Sequence, residues 1–277
     1  MVLIINITLL GLNFYKGNMS QLITIAMPVY NAGEYLRDAV NSIIAQSYTN
    51  WELFIIDDGS TDNAIDSIKS IKDKRIKILK DGLNKGLAAR LNQAIGIAKG
   101  QYFARMDQDD ISMPERFKMQ IDALEANPNL DLVATRALTI NSKSKIIGQL
   151  PFALNHQQIC SKPWRGFYMP HPTWLGKIEW FRKYHYASPG PYFCEDQELL
   201  LRAYKKSQFA CLEQVLLHYR VRHSTNLFKV IKTHLAVLKC QLSAFGRSEI
   251  NYKVLAIFVF ILRVLRDIFL KMIEFTK

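Results

Sequence analysis

Glycine is scarce in this chain, 13 residues in 277, and no glycine-rich loop follows its first apolar strand, where the sequence reads PVYNAGEY. A nucleotidyltransferase would need such a loop, bearing Lys or Arg, to cradle phosphates. That class is therefore the weaker enzymatic alternative. Cysteine is scarce too: Cys160, Cys194, Cys211 and Cys240 stand far apart, without the paired spacing of a zinc or thioredoxin-type motif. They read as reduced thiols in a reducing compartment, which places the chain in the cytoplasm. No Ser-His-Asp or Cys-His arrangement competes for a nucleophile's role. There is no low-complexity tract and no internal repeat. Acid is short as well, with 24 Asp and Glu against 36 Lys and Arg, for a net charge of +12.

Long apolar runs are missing where a membrane span would need them. In the C-terminal stretch KVLAIFVFILRVLRDIFLKMIEF the longest uncharged run, 254–262, would make roughly 13 Å of helix. A bilayer core requires roughly 30 Å. The N-terminal MVLIINITLLGLNF has no basic segment before it and no small-residue cleavage site, which argues against a secretory signal. Met19, followed by Ser-Gln-Leu and a good strand, is read as the natural start, with residues 1–18 an extension; a short membrane anchor is the competing account.

What is present is an α/β pattern. Apolar residues make up 49% and charged residues 22%, enough for a large core in one domain or two closely joined ones. LITIAMPVY (22–30), WELFII (51–56), RIKILK (75–80) and QYFARM (101–106) read as strands. EYLRDAVNSIIAQ (34–46) and KGLAARLNQAIGIAKG (85–100) between them read as helices. Thr61 or Asp62 is expected to cap the helix after DDGSTD, Gly100 to stop the one before it, and Pro114 to open PERFKMQIDALEAN. Such alternation predicts a mostly parallel sheet with helices on both faces. DLVATRALTI is a further strand, 141–193 is irregular, and a helix resumes at EDQELLLRAYKK (195–206).

Ligands of such sheets bind outside the carboxyl ends of the strands. Two acidic clusters fall there, Asp57-Asp58 and the ARMDQDD of 104–110, which crowds Asp107, Asp109 and Asp110. Ionised carboxylates this close repel one another unless something positive sits among them. A solvated turn is the plain explanation for either cluster alone; their shared position favours a divalent cation and the phosphates it neutralises. Glu195-Asp196 opens a helix, where carboxylates suit the dipole in any case.

The basic excess is uneven. Residues 226–277 hold nine Lys and Arg against three Asp and Glu. Within 253–275, Arg263, Arg266, Asp267, Lys271 and Glu274 recur three or four apart, so on a helix they form one polar stripe with Leu, Ile, Val and Phe around the rest. A helix lying in an anionic membrane interface is expected, against the alternative of a helix packed on the protein's own core. Nucleic acid is not expected, because no basic-aromatic recognition motif appears and the presumed ligand edge is acidic.

MPVYN (27–31), WELFIIDDGSTD (51–62), NKGLAARLN (84–92), GQYFARMDQDD (100–110), EDQELLLR (195–202) and YRVR (219–222) arrive in an order that resembles glycosyltransferase family 2. The resemblance implies a Rossmann-like GT-A fold and an inverting transfer from a nucleotide-diphosphate sugar. It implies a nucleotide-sugar-binding half (23–112), an acceptor-binding half with the catalytic base (113–225), and a basic amphipathic helical tail (226–277) after the N-terminal extension (1–22). On that basis Pro28, Tyr30 and Asp58 surround a uracil-type base, and Asp107 and Asp109 hold Mn²⁺ or Mg²⁺ and reach the nucleotide. Arg105 gives ionic support, Asp110 is a second-tier ligand, and Asp57 is a structural helix-cap partner. Asp196 is the general base, and Glu195 orients it or caps the helix.

His171 is a possible acceptor-side contact, and Trp164 and Trp174 either stack on sugars or pack in the core. Lys85 and Arg90 are phosphate contacts or solvated side chains. Relatives often show Tyr-Arg-x-His where this chain has Tyr219-Arg220-Val221-Arg222-His223, so Arg222 and His223 are both candidates for the phosphates. The expected partners are a UDP-sugar, a polyprenyl-diphosphate-linked glycan acceptor of capsule or lipopolysaccharide type, and the inner face of the cytoplasmic membrane. The rival reading is a non-enzymatic basic protein that binds a membrane surface, its acids serving only as turns.

Overall fold

The computed structural model describes residues 21–222 and 226–275. Residues 1–18 and His223, for which expectations were stated, lie outside them. The first four strands foreseen all form: β1 (Ile23–Val29), β2 (Trp51–Asp57), β3 (Ile76–Lys80) and β4 (Tyr102–Arg105). Between them lie α1 (Leu36–Ile44), α2 (Ala64–Ile68) and α3 (Leu87–Ile97). After a short β5 (Ile111–Ser112) come α4 (Arg116–Ala126) and β6 (Leu132–Ile140). The region expected to be irregular contains β7 (Ile146–Gln149), α5 (His156–Cys160), β8 (Leu175–Lys177) and α6 (Ile178–Lys183). The chain ends with α7 (Glu195–Ala203), β9 (Phe209–Arg220), α8 (Leu227–Ala244) and α9 (Ile250–Phe275).

The strands form one sheet in the order β3-β2-β1-β4-β8-β6-β9-β5, with β7 added to β6. β3, β2, β1 and β4 are mutually parallel, as is the β6–β9 pair. β8 runs antiparallel to both β4 and β6, and β7 and β5 are antiparallel to their partners. Parallel pairing needs a long crossover. Residues 141–145 are too few for one, so β7 folds back as a hairpin and the sheet is mixed beyond β4.

Alternation along the strands buries both faces. Ile23, Ile25, Met27 and Val29 of β1 pack with α1, α2 and α4, whereas Ala26, with Phe54 and Ile56 of β2, packs with α3, α6 and α7. On α1, Leu36, Ala39, Val40 and Ile43 follow the i, i+3, i+4, i+7 pattern and are fully buried. Each large aliphatic side chain so buried contributes about 1.5–3 kcal/mol.

Three local expectations are revised. α3 ends at Ile97, so Gly100 is not its cap. Gly100 lies instead where a Cβ would come within 2.5 Å of the Leu22 carbonyl and 2.6 Å of the Thr24 amide, so β1 could not approach a larger residue. Asn63 occupies the cap position of α2, while Asp62 accepts from the Ala64 amide and from the Gly33 amide. α4 begins at Arg116, two residues past Pro114.

α8 and α9 pack against each other at the C-terminus, and α9 turns Tyr252, Ala256 and Phe260 together with part of its polar stripe toward the protein. Two members of the stripe face the protein: Asp267 accepts from His234 Nε2 of α8 at 2.8 Å, and Arg263 donates to the Arg165 carbonyl. Leu265, Phe269 and Met272 are among the large apolar residues left facing out. The expected picture of that stripe's cations reaching outward therefore fails at Arg263, although Arg266 is exposed. No helix among the described residues is long and apolar enough to cross a membrane.

Candidate functional site

β1 lies between β2 and β4, so the segments following these three parallel strands emerge side by side at one edge. They frame a cavity of about 720 Å³. Pro28, Tyr30, Asp58 and Asn84 line one part of it; Arg105, Asp107 and Asp109 line another; His171, Glu195 and Asp196 complete it.

The DDGS turn is set by two demands on Gly59. Its φ is +78°, and a Cβ would sit 3.0 Å from the Leu83 carbonyl carbon. Asp57 accepts from the Ser60 amide and closes the turn. Asp58 then points back into a nest of donors: Lys85 N at 2.7 Å and Arg90 Nε at 2.7 Å on Oδ1, and Gly86 N at 2.9 Å on Oδ2. Oδ1 is fully used, and Oδ2 retains one acceptor direction. Arg90 is only 1% exposed and also donates to Asp81, the Leu83 carbonyl and Gln93. It is a buried organiser of the loop before α3, neither solvated nor free for a phosphate. Lys85 is paired with Asp81.

The acidic cluster carries its own counter-charges. Arg105 Nη2 is 2.6 Å from Asp107, and Arg222 Nε donates to Asp109 Oδ2. Burial, opposed by Arg105 and reinforced by Asp109, raises the Asp107 carboxyl above its usual range. Asp110 is wholly buried, with Oδ1 accepting from the Arg220 amide at 2.8 Å and Oδ2 without a partner. Burial first, then Asp107, holds it well above the ordinary carboxylate range. Arg105 is buried as well, with Nε and Nη1 unpartnered.

Several residues that sequence reasoning passed over hold this arrangement together. Gln108, the middle of D-Q-D, accepts from the Tyr30 amide at 2.6 Å and donates to the Tyr30 carbonyl at 3.0 Å. Asn31, at φ +51°, accepts from the Thr61 amide through its side chain and from Arg222 Nη1 through its carbonyl. Arg220 Nε donates to the Asp109 carbonyl, and Arg116 Nη2 to the Arg105 carbonyl. A lone Gln or Asn carries no chemical signature in a sequence, whereas YRVR did direct attention to Arg222.

At the far side, α7 presents Glu195 and Asp196 in its first turn. Gln197 fixes the latter: it receives the Phe167 amide, donates to the Phe167 carbonyl, and donates to Asp196 Oδ2 at 3.0 Å. Gly166, at φ +94°, makes room for it, because a Cβ there would lie 2.8 Å from Gln197 Oε1. Glu195 is raised above the usual carboxyl range by burial and then by Asp196. His171 is buried between Tyr186, 2.8 Å from its Nε2, and Glu195, 3.7 Å from its Nδ1. Burial and then Arg105 hold the imidazole well below its usual value, so it is neutral. Trp174 is fully buried, donating to the Met169 carbonyl, and is no sugar platform; the partly buried Trp164 packs on Tyr252 of α9.

The glycosyl transferase family 2 model matches residues 24–185. The chain is 36% identical over 128 residues to UDP-Glc:alpha-D-GlcNAc-diphosphoundecaprenol beta-1,3-glucosyltransferase WfgD of Escherichia coli, covering 46% of this chain and 50% of that protein. It is 29% identical over 217 residues to an uncharacterized glycosyltransferase of Methanocaldococcus jannaschii, covering 76% and 74%. The chain spans about half the length of several curated relatives it matches. The S. aureus TarS 1–349 structure in complex with UDP-GlcNAc superposes with a TM-score of 0.65 at 16% identity, over 89% of this chain and 72% of that one. That likeness concerns the fold, which is of the GT-A glycosyltransferase kind. A family match running from β1 to beyond α6, over more than half of the chain, makes this chain a member of glycosyltransferase family 2.

Proposed function

We propose that the cavity binds a UDP-sugar and that Asp196 activates a hydroxyl of a lipid-linked glycan for inverting transfer. The observation that carries this reading is the meeting, in one cavity, of Asp58 and Tyr30, Asp107 and Asp109, and Asp196. The free acceptor direction on Asp58 Oδ2 suits the imide N–H of uracil, and Tyr30, 48% exposed, can lie against the ring. Pro28 completes the base site. TarS has been crystallised with UDP and with UDP-GlcNAc, which supports a uridine donor on the same fold.

A divalent cation fits the acids. Among the described residues no group of three His, Cys, Asp or Glu is placed to hold a metal ion. Two carboxylates are nevertheless the complement that Mg²⁺ or Mn²⁺ takes when substrate phosphates and water supply the other ligands. Asp107 and Asp109 would hold it, and the cation would neutralise charge developing on the diphosphate. Arg222 and Arg105 stand ready at the same place, and the two unpartnered N–H groups of Arg105 can donate to an anionic ligand.

On the acceptor side, Asp196 takes the hydroxyl proton as the oxygen attacks the anomeric carbon. The bond from that carbon to the diphosphate oxygen breaks on the opposite face, and UDP departs with its electron pair. Gln197 aims the carboxylate, and Glu195 with neutral His171 lines the approach.

The acceptor class draws support from WfgD, whose name specifies a diphosphoundecaprenol-linked sugar, and from α9, whose apolar face looks outward in a basic segment. Capsule or lipopolysaccharide synthesis at the inner face of the cytoplasmic membrane is the setting that joins these features. Calorimetry with UDP, with and without Mn²⁺, tests the donor site. Binding strengthened by Mn²⁺ in the wild type and lost in Asp109→Ala is the expected result; no nucleotide binding under either condition overturns it.

A further inference from the structure

Phe193 is 72% exposed, has a left-handed backbone at φ +47°, and lines the same cavity as Asp196, three residues away. Positive φ is foreign to a bulky aromatic residue. Most of the ring stands in water, and local backbone preference does not explain the arrangement.

Yet the segment beneath it is firmly built. Asn92 of α3 donates to the Tyr186 carbonyl at 2.8 Å and accepts from the Tyr186 amide at 3.0 Å. Gly190 packs so closely on α3 that a Cβ would stand 3.3 Å from that of Ala88. The Tyr192 ring meets the Phe193 ring edge to face, with centroids 4.6 Å apart, and Lys232 Nζ of α8 lies 4.0 Å from the Tyr192 ring centroid. The ring of Phe193 is held out on purpose, on a braced support.

Resting on the transferase reading above, we infer that Phe193 is the platform on which the pyranose ring of the acceptor stacks, and so a specificity-determining residue of this enzyme. A pyranose has one face of C–H groups and a rim of hydroxyls. An exposed aromatic face receives the former while a neighbouring carboxylate meets the latter. Phe193 is carried by the segment that delivers Asp196, not by the strands that carry the nucleotide-side acids. Phe228, 73% exposed, stands one helical turn before Lys232 on the same face of α8. Phe228, Lys232, Tyr192 and Phe193 therefore mark a path from the helical tail to the cavity, the direction from which a membrane-held acceptor arrives.

Saturation-transfer NMR tests this with the methyl pyranosides of glucose, galactose and N-acetylglucosamine, each with and without UDP and Mg²⁺, and with UDP-glucose separately. Phe193→Asn removes the ring while keeping a residue at home in left-handed backbone, and Phe193→Tyr keeps the ring. The expected result is transfer to C–H protons of at least one pyranoside in the wild type and Phe193→Tyr. In Phe193→Asn that transfer falls at least fivefold, with UDP signals unchanged. Transfer that survives in Phe193→Asn, or no pyranoside contact in the wild type, overturns the assignment. So does a loss confined to the sugar of UDP-glucose. Pyranoside contact through Phe193 without any UDP contact would instead sink the uridine donor and leave this platform standing.

Discussion

Arg222 Nε donates a hydrogen bond to Asp109 Oδ2, joining the end of the YRVR segment to the end of the D-Q-D motif. The same guanidinium reaches the Asn31 carbonyl, so one side chain ties three motifs together at the cavity edge. With Arg105 against Asp107, each of these two acids has its own arginine. The crowd of like charges is thus compensated within the protein.

Replacing Arg222 by Gln exposes the cost of that compensation. The pair is about one-fifth exposed, so its removal is expected to destabilise the fold by about 1 kcal/mol, or about 2–4 °C in Tm. Mn²⁺ binding in the absence of nucleotide is expected to tighten severalfold, because a competing cation is gone. Thermal unfolding and metal titration check the two effects; weaker Mn²⁺ binding would contradict the account.

Gly59→Ala combines a left-handed backbone with a Cβ 3.0 Å from a backbone carbon. A loss of about 2–4 kcal/mol is expected. Displacement of the 83–86 loop would also open the donor nest of Asp58, so UDP affinity should fall at least tenfold in calorimetry. Retention of wild-type affinity would show that the turn does not set the base site.

The contact between α8 and α9 has an acid limit. Burial works to raise the Asp267 carboxyl, but hydrogen bonds from His234 and Arg266 outweigh it and leave it below its usual value. A carboxyl lower in the folded than in the unfolded chain contributes stability above its ordinary pKa of 3.8, and the contribution is lost as pH falls through the folded value. Asp267→Asn should therefore be less stable than the wild type near neutral pH, with the difference in Tm closing as pH drops below about 4. A difference independent of pH would refute this.

The outward face of α9 is expected to bind lipid. Phe269→Glu alters a residue 63% exposed, so stability should change by no more than about 0.5 kcal/mol. Sedimentation with phosphatidylglycerol-containing vesicles should fall at least tenfold, while UDP binding stays as it was. Unchanged sedimentation would leave the face without its proposed partner.

The alternating strands and helices were readable because short β-branched, apolar runs bounded by turns, such as β1, which is buried on both faces, give way to apolar residues spaced three and four apart, as in α1. That the two acidic clusters would come together was readable for a different reason: both fall just past the ends of parallel strands, which open at one edge of the sheet. What escaped notice depends on three-dimensional register. Nothing local distinguishes Gln108, which grips Tyr30 from 78 residues away, from any surface amide. Arg90 reads like an exposed helical arginine until the Asp58 and Asp81 carboxylates are seen to close over it. The antiparallel half was hidden because β8 has only three residues and takes its direction from neighbours that the sequence does not name.

Gly166 has a consequence for remodelling the enzyme. The amide of Gln197 fits only because no side chain stands at 166, and that amide in turn holds Asp196. On the reading proposed above, the acceptor region and the base would therefore travel together. A transplant of the 141–193 segment that brought another residue to this position, where φ is +94°, would push the Gln197 amide aside and loosen its hold on Asp196. Chimeras built to change acceptor choice have to cut outside 166–197 and carry the glycine with them.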